Sequence, residues 1–291
     1  MSEPAQNSPE ADALFSAILD AVTEVTGDTD PDTPDLPPAL VTAVHLIRRA
    51  GVEFVRRYHR LDISAEHPVP DEPSLLVANH GFGGIFDLNV LAVLATLDEL
   101  RLTRPVTILT HQLAWTLRVG QLIEALGARP ASRDTALADL GAGHHVLVLP
   151  GGDIEGGKAW PDRNRIVFAG RTGFAKIAIQ AGVPIVPIVT AGAGESLVVI
   201  SDGQRLARAT GLDKLLRLKA LPVSVSLPWG LNIGAVGLLP YLPLPTKMTT
   251  AVLPALRPDP QETPADLAGR VEQAMQESLT QMTQDRRYLL G

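Results

Sequence analysis

Four uninterrupted apolar runs set the tightest limit on what this chain can fold into. They are SLLVAN (74–79), PVTILT (105–110), HVLVLPGG (145–152, running into a loop) and VPIVPIVTAG (183–192). None keeps a clean apolar–polar alternation, so each reads as a strand buried on both faces. Helical stretches lie between them: DLNVLAVLATLDEL (87–100), HQLAWTLRVGQLIEAL (111–126, stopped by Gly127), TALADLGAG (135–143) and GFAKIAIQAG (173–182). Buried strands alternating with helices predict an α/β fold, a largely parallel central sheet with helices on both faces. In such sheets sites form beyond the carboxyl ends of strands. Two glycine-bearing stretches fall there: Asn79-His80 with Gly81, Gly83 and Gly84, and Gly151-Gly152.

The N-terminal stretch is different in kind. Before residue 40 there are nine acids, six prolines and no Lys or Arg. Residues 1–38 therefore read as an acidic, mostly flexible arm, with one short helix from Pro9 to about Val25. Residues 39–291 read as the folded domain. The whole chain carries −7, so the body without the arm is near neutral, at about +2. That balance, with aromatics at 4 %, argues against nucleic acid as a partner. Zero cysteines remove disulfides, thiolate metal sites and a thiol nucleophile. No basic stretch followed by an apolar run opens the chain, so no signal peptide is expected.

Two further segments bear on partners. ALVTAVHLIRRAGVEFVRRYHR (39–60) puts Leu40, Val44, Ile47, Gly51, Val55 and Tyr58 on one helical stripe. Arg48, Arg49, Arg56, Arg57 and Arg60 oppose the single Glu53. Such a helix either packs on the core with a solvated basic face or lies on anionic lipid. Residues 220–246 carry no charge, yet five prolines and three glycines argue against one spanning helix. An apolar hairpin or loop, buried or dipping into a lipid interface, fits better. ETPADLAGRVEQAMQESLTQMTQDRRYLL (262–290) reads as a C-terminal helix capped by Thr263.

Several familiar motifs fail on inspection. GFGGIF (81–86) resembles the start of a dinucleotide fingerprint, but Phe86 occupies the position that needs a small residue, and the next strand ends without an acid. GDIEGGKA (152–159) nearly matches a phosphate-binding loop. Ala159 replaces the magnesium-binding hydroxyl, and Trp160-Pro161 follows where a helix should start. No GxSxG occurs, and the histidines show no metal-ligand spacing, so neither a nucleophile-elbow hydrolase nor a metal centre is expected.

What remains is His80 and Asp87. Singly, Asp87 is a helix N-cap and His80 a loop histidine. Together they supply a histidine at a strand end and a carboxylate able to fix its tautomer. That is a general base able to deprotonate a hydroxyl. The intervening glycines, Gly83 among them, let the chain fold back and let a bulky substrate approach.

ANHGFGGIFD (78–87) resembles the first sequence block of the PlsC-like glycerolipid acyltransferases, in which Asn-His is followed by four residues and Asp. Here six residues separate His80 from Asp87, closer to the mono- and diacylglycerol acyltransferase-like branch. LGARPASRDTA (126–136) resembles the second block, with Arg133 in its basic position. VLVLPGGDIEGG (146–157) resembles the third in its Pro-Gly-Gly form, RTGFAKIAIQAG (171–182) that branch's Arg-Lys-Gly-Phe run, and VPIVPIV (183–189) the fourth.

The resemblance implies a glycerol-3-phosphate acyltransferase-like fold preceded by an amphipathic helix. It implies transfer of an acyl chain from acyl-CoA or acyl carrier protein to a hydroxyl of a glycerolipid or lysophospholipid, directly and without a resident cofactor. His80 would be the base and Asp87 its orienting partner. Asn79, Gly83, Arg133, Gly151, Gly152, Glu155 and Arg171 would bind substrate. The arginines would face phosphate, the Gly151 and Gly152 amides an anion, and Glu155 an acceptor hydroxyl. A lipid substrate also raises the weight of membrane contact by 39–60 and 220–246, on the cytoplasmic face. A non-catalytic lipid-binding protein and an acyl-thioester hydrolase are the alternatives.

Overall fold

The computed structural model describes residues 37–81, 87–110, 115, 120–204, 222–234, 241–288 and 290. The acidic arm, apart from its last two residues, lies outside these.

The predicted α/β architecture is what the chain adopts. Seven strands form one sheet: β1 (Asp62–Ser64), β2 (Leu75–Ala78), β3 (Val106–Thr110), β4 (Ala128–Pro130), β5 (His145–Val148), β6 (Ile185–Ala191) and β10 (Thr249–Val252). Their order is β1-β10-β6-β2-β5-β3-β4. The five strands from β6 to β4 are mutually parallel, while β10 runs antiparallel to β6. All four residues of β2 and of β5 and all seven of β6 are buried, as runs without alternation require.

Helices cover both faces. On one side α1 (Pro38–Arg57) packs on α2 (Leu88–Leu100), with Val52, Val55, Leu88, Ala92 and Ala95 in a shared cluster. On the other lie α4 (Arg133–Gly141), α6 (Gly173–Ala181) and α7 (Pro264–Thr283). A short α3 (Gly120–Glu124) precedes β4. Helix α7 presents Leu267, Val271, Met275 and Leu279 every fourth residue, all buried. Each contributes about 1.5–3 kcal/mol. Thr263 caps it as expected, and Asp266 completes a reciprocal capping box.

The α1 stripe is rotated from the predicted one. Val44 and Val55 are buried, but Ile47 and its neighbour Leu46 are exposed. Two arginines set this orientation: Arg48 pairs with Asp98 at 2.5 Å and Arg56 with Glu99 at 2.7 Å. Gly51 makes room for the Leu91 side chain of α2, since a Cβ there would stand 2.8 Å from Leu91 Cδ2. Part of the basic face is thus spent on α2.

The uncharged segment forms a hairpin. Strands β8 (Val223–Ser226) and β9 (Gly230–Ile233) pair antiparallel, and β7 (Val198–Ser201) joins them in a separate three-stranded sheet. Among the described residues no helix is long and apolar enough to cross a membrane.

Candidate active site

The site is built where β2 lies between β5 and β6, at the carboxyl ends of all three. β2 delivers Asn79 and His80. The Asn79 side chain continues the sheet by hand. Its Nδ2 donates to the Thr190 carbonyl at 3.0 Å, and its Oδ1 accepts from the Thr190 N–H at 2.8 Å. The Asn89 amide donates to the Asn79 carbonyl at 2.8 Å. Asn79 thereby pins the last turn of β2 to β6 and to the start of α2.

Asp87 is the N-cap of α2, its Oδ1 accepting from the Asn89 N–H at 2.8 Å. Its Oδ2 meets His80 Nδ1 at 2.7 Å. A carboxylate can only accept, so Nδ1 carries the hydrogen and Nε2 is left with a lone pair. The two roles of Asp87 use different oxygens. The pair therefore closes across six intervening residues. Gly83 belongs to 82–86, outside the described residues.

Burial works against a charged His80 ring. The Asp87 hydrogen bond and charge, with the Glu155 charge, outweigh burial and the opposing Lys158, so its pKa is raised above the usual 6.5. Gly81 is sterically fixed, because a Cβ there would stand 2.9 Å from Asn89 Oδ1 and from Ala193.

The β5 end supplies the turn that carries Glu155. This residue sits on the single-turn helix α5 (Gly152–Gly156) and is fully buried. Its two oxygens accept the His80 N–H at 3.0 Å and the Val167 N–H at 3.1 Å, and Lys158 Nζ lies 3.6 Å away. Glu155 therefore faces inward and holds the His80 backbone. Gly151 must be glycine because a Cβ would overlap the Glu155 side chain. Gly152 has φ +51° and lies against the Arg171 guanidinium. Arg171 donates to the Pro150 and Gly151 carbonyls at 2.9 and 2.6 Å and pairs with Asp153 at 2.8 Å. Arg171 and the two glycines thus brace the turn that carries Glu155 to His80. Arg133 is not among them: it starts α4 beside the edge strand β4 and bonds to Gln180 on α6.

Several residues of the site carry no signal of their own in the sequence. Lys158 lines the cleft beside His80 and is almost entirely buried. Its Nζ donates to the Arg165 carbonyl at 2.7 Å, and burial lowers its pKa against the pull of Glu155 and Asp87. Arg163 lines the same cleft, held between the rings of Trp160 and Tyr288 at 4.6 and 4.8 Å. Leu197 and Val199 close another wall, and Tyr241 packs on them. Burial pushes the Tyr241 hydroxyl up to about 12, against a hydrogen bond with Ser196 and with the Asp87 charge adding to the rise. The Arg163–Trp160 spacing of three is the one local hint, visible in WPDR. Among the described residues no three His, Cys, Asp or Glu side chains are grouped to hold a metal ion.

The profile of a family described as Acyltransferase matches residues 44–191. An uncharacterized protein of Mycobacterium tuberculosis is 30% identical over 275 residues, covering 91% of this chain and 73% of that one. The Gallus gallus protein named DGAT1/2-independent enzyme synthesizing storage lipids is 25% identical over 227 residues, 77% of this chain and 60% of its own. Human diacylglycerol O-acyltransferase 2 is 35% identical over 99 residues, 31% of this chain and 26% of its own. A crystal structure of the 1-acyl-sn-glycerophosphate acyltransferase PlsC from Thermotoga maritima superposes with a TM-score of 0.49 at 15% identity, over 94% of this chain and 90% of that one.

Proposed function

This chain belongs to the acyltransferase family, and on that premise we propose that it moves an acyl chain from a thioester, acyl-CoA or acyl carrier protein, to a hydroxyl of a glycerolipid or lysophospholipid at a membrane surface. The observation that carries the reading is the 2.7 Å hydrogen bond that His80 Nδ1–H donates to Asp87 Oδ2, beside a cleft. His80 Nε2 takes the proton of the acceptor hydroxyl as its oxygen attacks the thioester carbonyl carbon. Asp87 steadies the imidazolium that results, as the acid of a catalytic triad does, but with no enzyme nucleophile. The tetrahedral intermediate then expels the thiolate, and the imidazolium returns its proton to that sulfur. The C–S bond breaks, the ester C–O bond forms, and no proton is gained or lost overall.

The other residues fall into two groups. Glu155 holds the His80 backbone N–H, and Gly151, Gly152 and Arg171 brace the turn that carries Glu155. Lys158 and Arg163, cations on the cleft wall, meet the negative charge of donor or acceptor. Names borne by relatives favour a glyceride acceptor; the basic cleft favours a phosphorylated one.

Purified protein with radiolabelled acyl-CoA and a panel of lysophospholipids, mono- and diacylglycerols tests this. Acylated lipid is expected with wild type and a loss of product with His80→Ala. Fatty acid release that ignores the acceptor would instead mark a hydrolase. Binding without turnover on any acceptor or donor would mark a lipid-binding protein.

A further inference from the structure

The sheet β7-β8-β9 has one packed face and one bare face. Val198, Val225 and Leu231 form a row across the three strands, and Ile233 lies opposite Val223 in the next row. Val198, Val225, Leu231, Ile233 and Ile200 are exposed, Leu231 at 67% and Ile233 at 57%. Their alternates Val199, Ser224 and Ser226 are buried. Of the eleven exposed large hydrophobic residues among those described, seven belong to this sheet and to the Leu227–Leu242 bridge beside it. Apolar side chains scattered singly need no explanation; this concentration does.

Charge frames the face. Residues 220–246 contain no Asp, Glu, Lys or Arg. The end of α1 borders the segment: Tyr58 donates to the Pro243 carbonyl and Arg60 to that of Pro245. Arg57, Arg60 and Lys247 make a basic margin, shared with the surface carboxylates Glu53 and Asp62. An uncharged apolar centre beside a margin with a net excess of basic side chains matches the acyl region and anionic head groups of a bilayer.

We infer that the outer face of β7-β8-β9 is the surface on which this protein docks on an anionic bilayer. The choice of a lipid occupant rests on the acyl-transfer reading above. Strand β7 joins the two functions. Val199 lines the His80 cleft, while Val198 and Ile200 point the opposite way. The cleft thus sits one strand's thickness above the docking plane, at the β7 edge, where an acceptor head group rises past it. Helix α1, with Arg48 and Arg56 committed to α2, supplies only its C-terminal end.

The test reads binding alone. Full-length protein is floated with vesicles of phosphatidylcholine and phosphatidylglycerol. L231D/I233D is expected to bind at least about tenfold more weakly, as the loss of two buried aliphatic side chains implies. R57Q/R60Q is expected to lose affinity for anionic vesicles while keeping that for pure phosphatidylcholine. The absence of native cysteine allows a second readout that does not depend on a disruptive variant. A polarity-sensitive fluorophore on L231C should shift to the blue on adding vesicles, whereas one on D134C, at the far edge of the large sheet, should not. His80→Ala should float as wild type does, so failure of the catalytic reading leaves this result standing and the converse holds too. Flotation of L231D/I233D equal to wild type, or an unshifted L231C, overturns the inference. A change in oligomeric mass with unchanged flotation also overturns it, because it assigns the face to a second copy.

Discussion

Replacing Asp87 with Asn isolates the proposed catalytic bond from everything else Asp87 does. Asn is as good an N-cap as Asp, so the 2.8 Å contact to the Asn89 N–H and helix α2 survive. What is lost is the charge facing His80 Nδ1 at 2.7 Å across a nearly dry contact. A hydrogen bond between charged partners contributes about 1.5–3 kcal/mol. If that bond steadies the imidazolium in the transition state, kcat/KM should fall about 10- to 150-fold.

The same substitution moves the pH profile. Asp87 is a main reason the His80 pKa stands above 6.5 despite burial. A base must be neutral, so the wild-type acid limb lies above pH 6.5 and should move to lower pH in Asp87→Asn. Stability follows the opposite side of the titration. A histidine with a raised folded pKa contributes stability that is full below 6.5 and is lost as pH rises through the folded value. That slope should flatten in the variant. The assay is kcat/KM against pH, with thermal midpoints over the same range. A variant whose rate and acid limb both match wild type would refute the role of Asp87 as partner to a base, whatever the fold.

Other substitutions probe the scaffold. Gly151→Ala forces a methyl into the Glu155 side chain and should cost about 1–3 kcal/mol in thermal denaturation, with activity falling as His80 loses its anchor. Lys158→Met leaves Glu155 charged and buried. It should cost about 3 kcal/mol by urea unfolding, and Glu155→Gln in the same chain should recover much of it. Arg286→Ala strips the buried Glu195 of its 2.8 Å partner, at a cost of about 3–5 kcal/mol. The pair Glu195→Gln with Arg286→Met should again be milder than the single change.

Legibility from sequence followed the distance between partners along the chain. β2, β5 and β6 were plain because burial on both faces writes itself into consecutive residues. His80 and Asp87 were plain because a strand end and a helix cap are local signals seven residues apart. β10 was not: TTAV is short and weakly apolar, and only its pairing with 188–191 makes it a strand. Glu155 looked like an acid open to an acceptor hydroxyl. Its two backbone donors, His80 and Val167, are 75 and 12 residues away, and nothing around position 155 announces them. Arg171 looked like a phosphate ligand for the same reason, its partners at 150–153 being some twenty residues back. The α1 stripe went astray because Asp98, Glu99 and Leu91, which decide its rotation, lie on another helix. The glycine-rich block therefore marks the strand end at which His80 and Asp87 meet. Which charged neighbours turn in to brace the backbone and which line the cleft is decided by long-range amide and carboxylate contacts. Of the charged residues named from sequence in the later blocks, Glu155 and Arg171 brace. Lys158 and Arg163 are the ones that line the cleft.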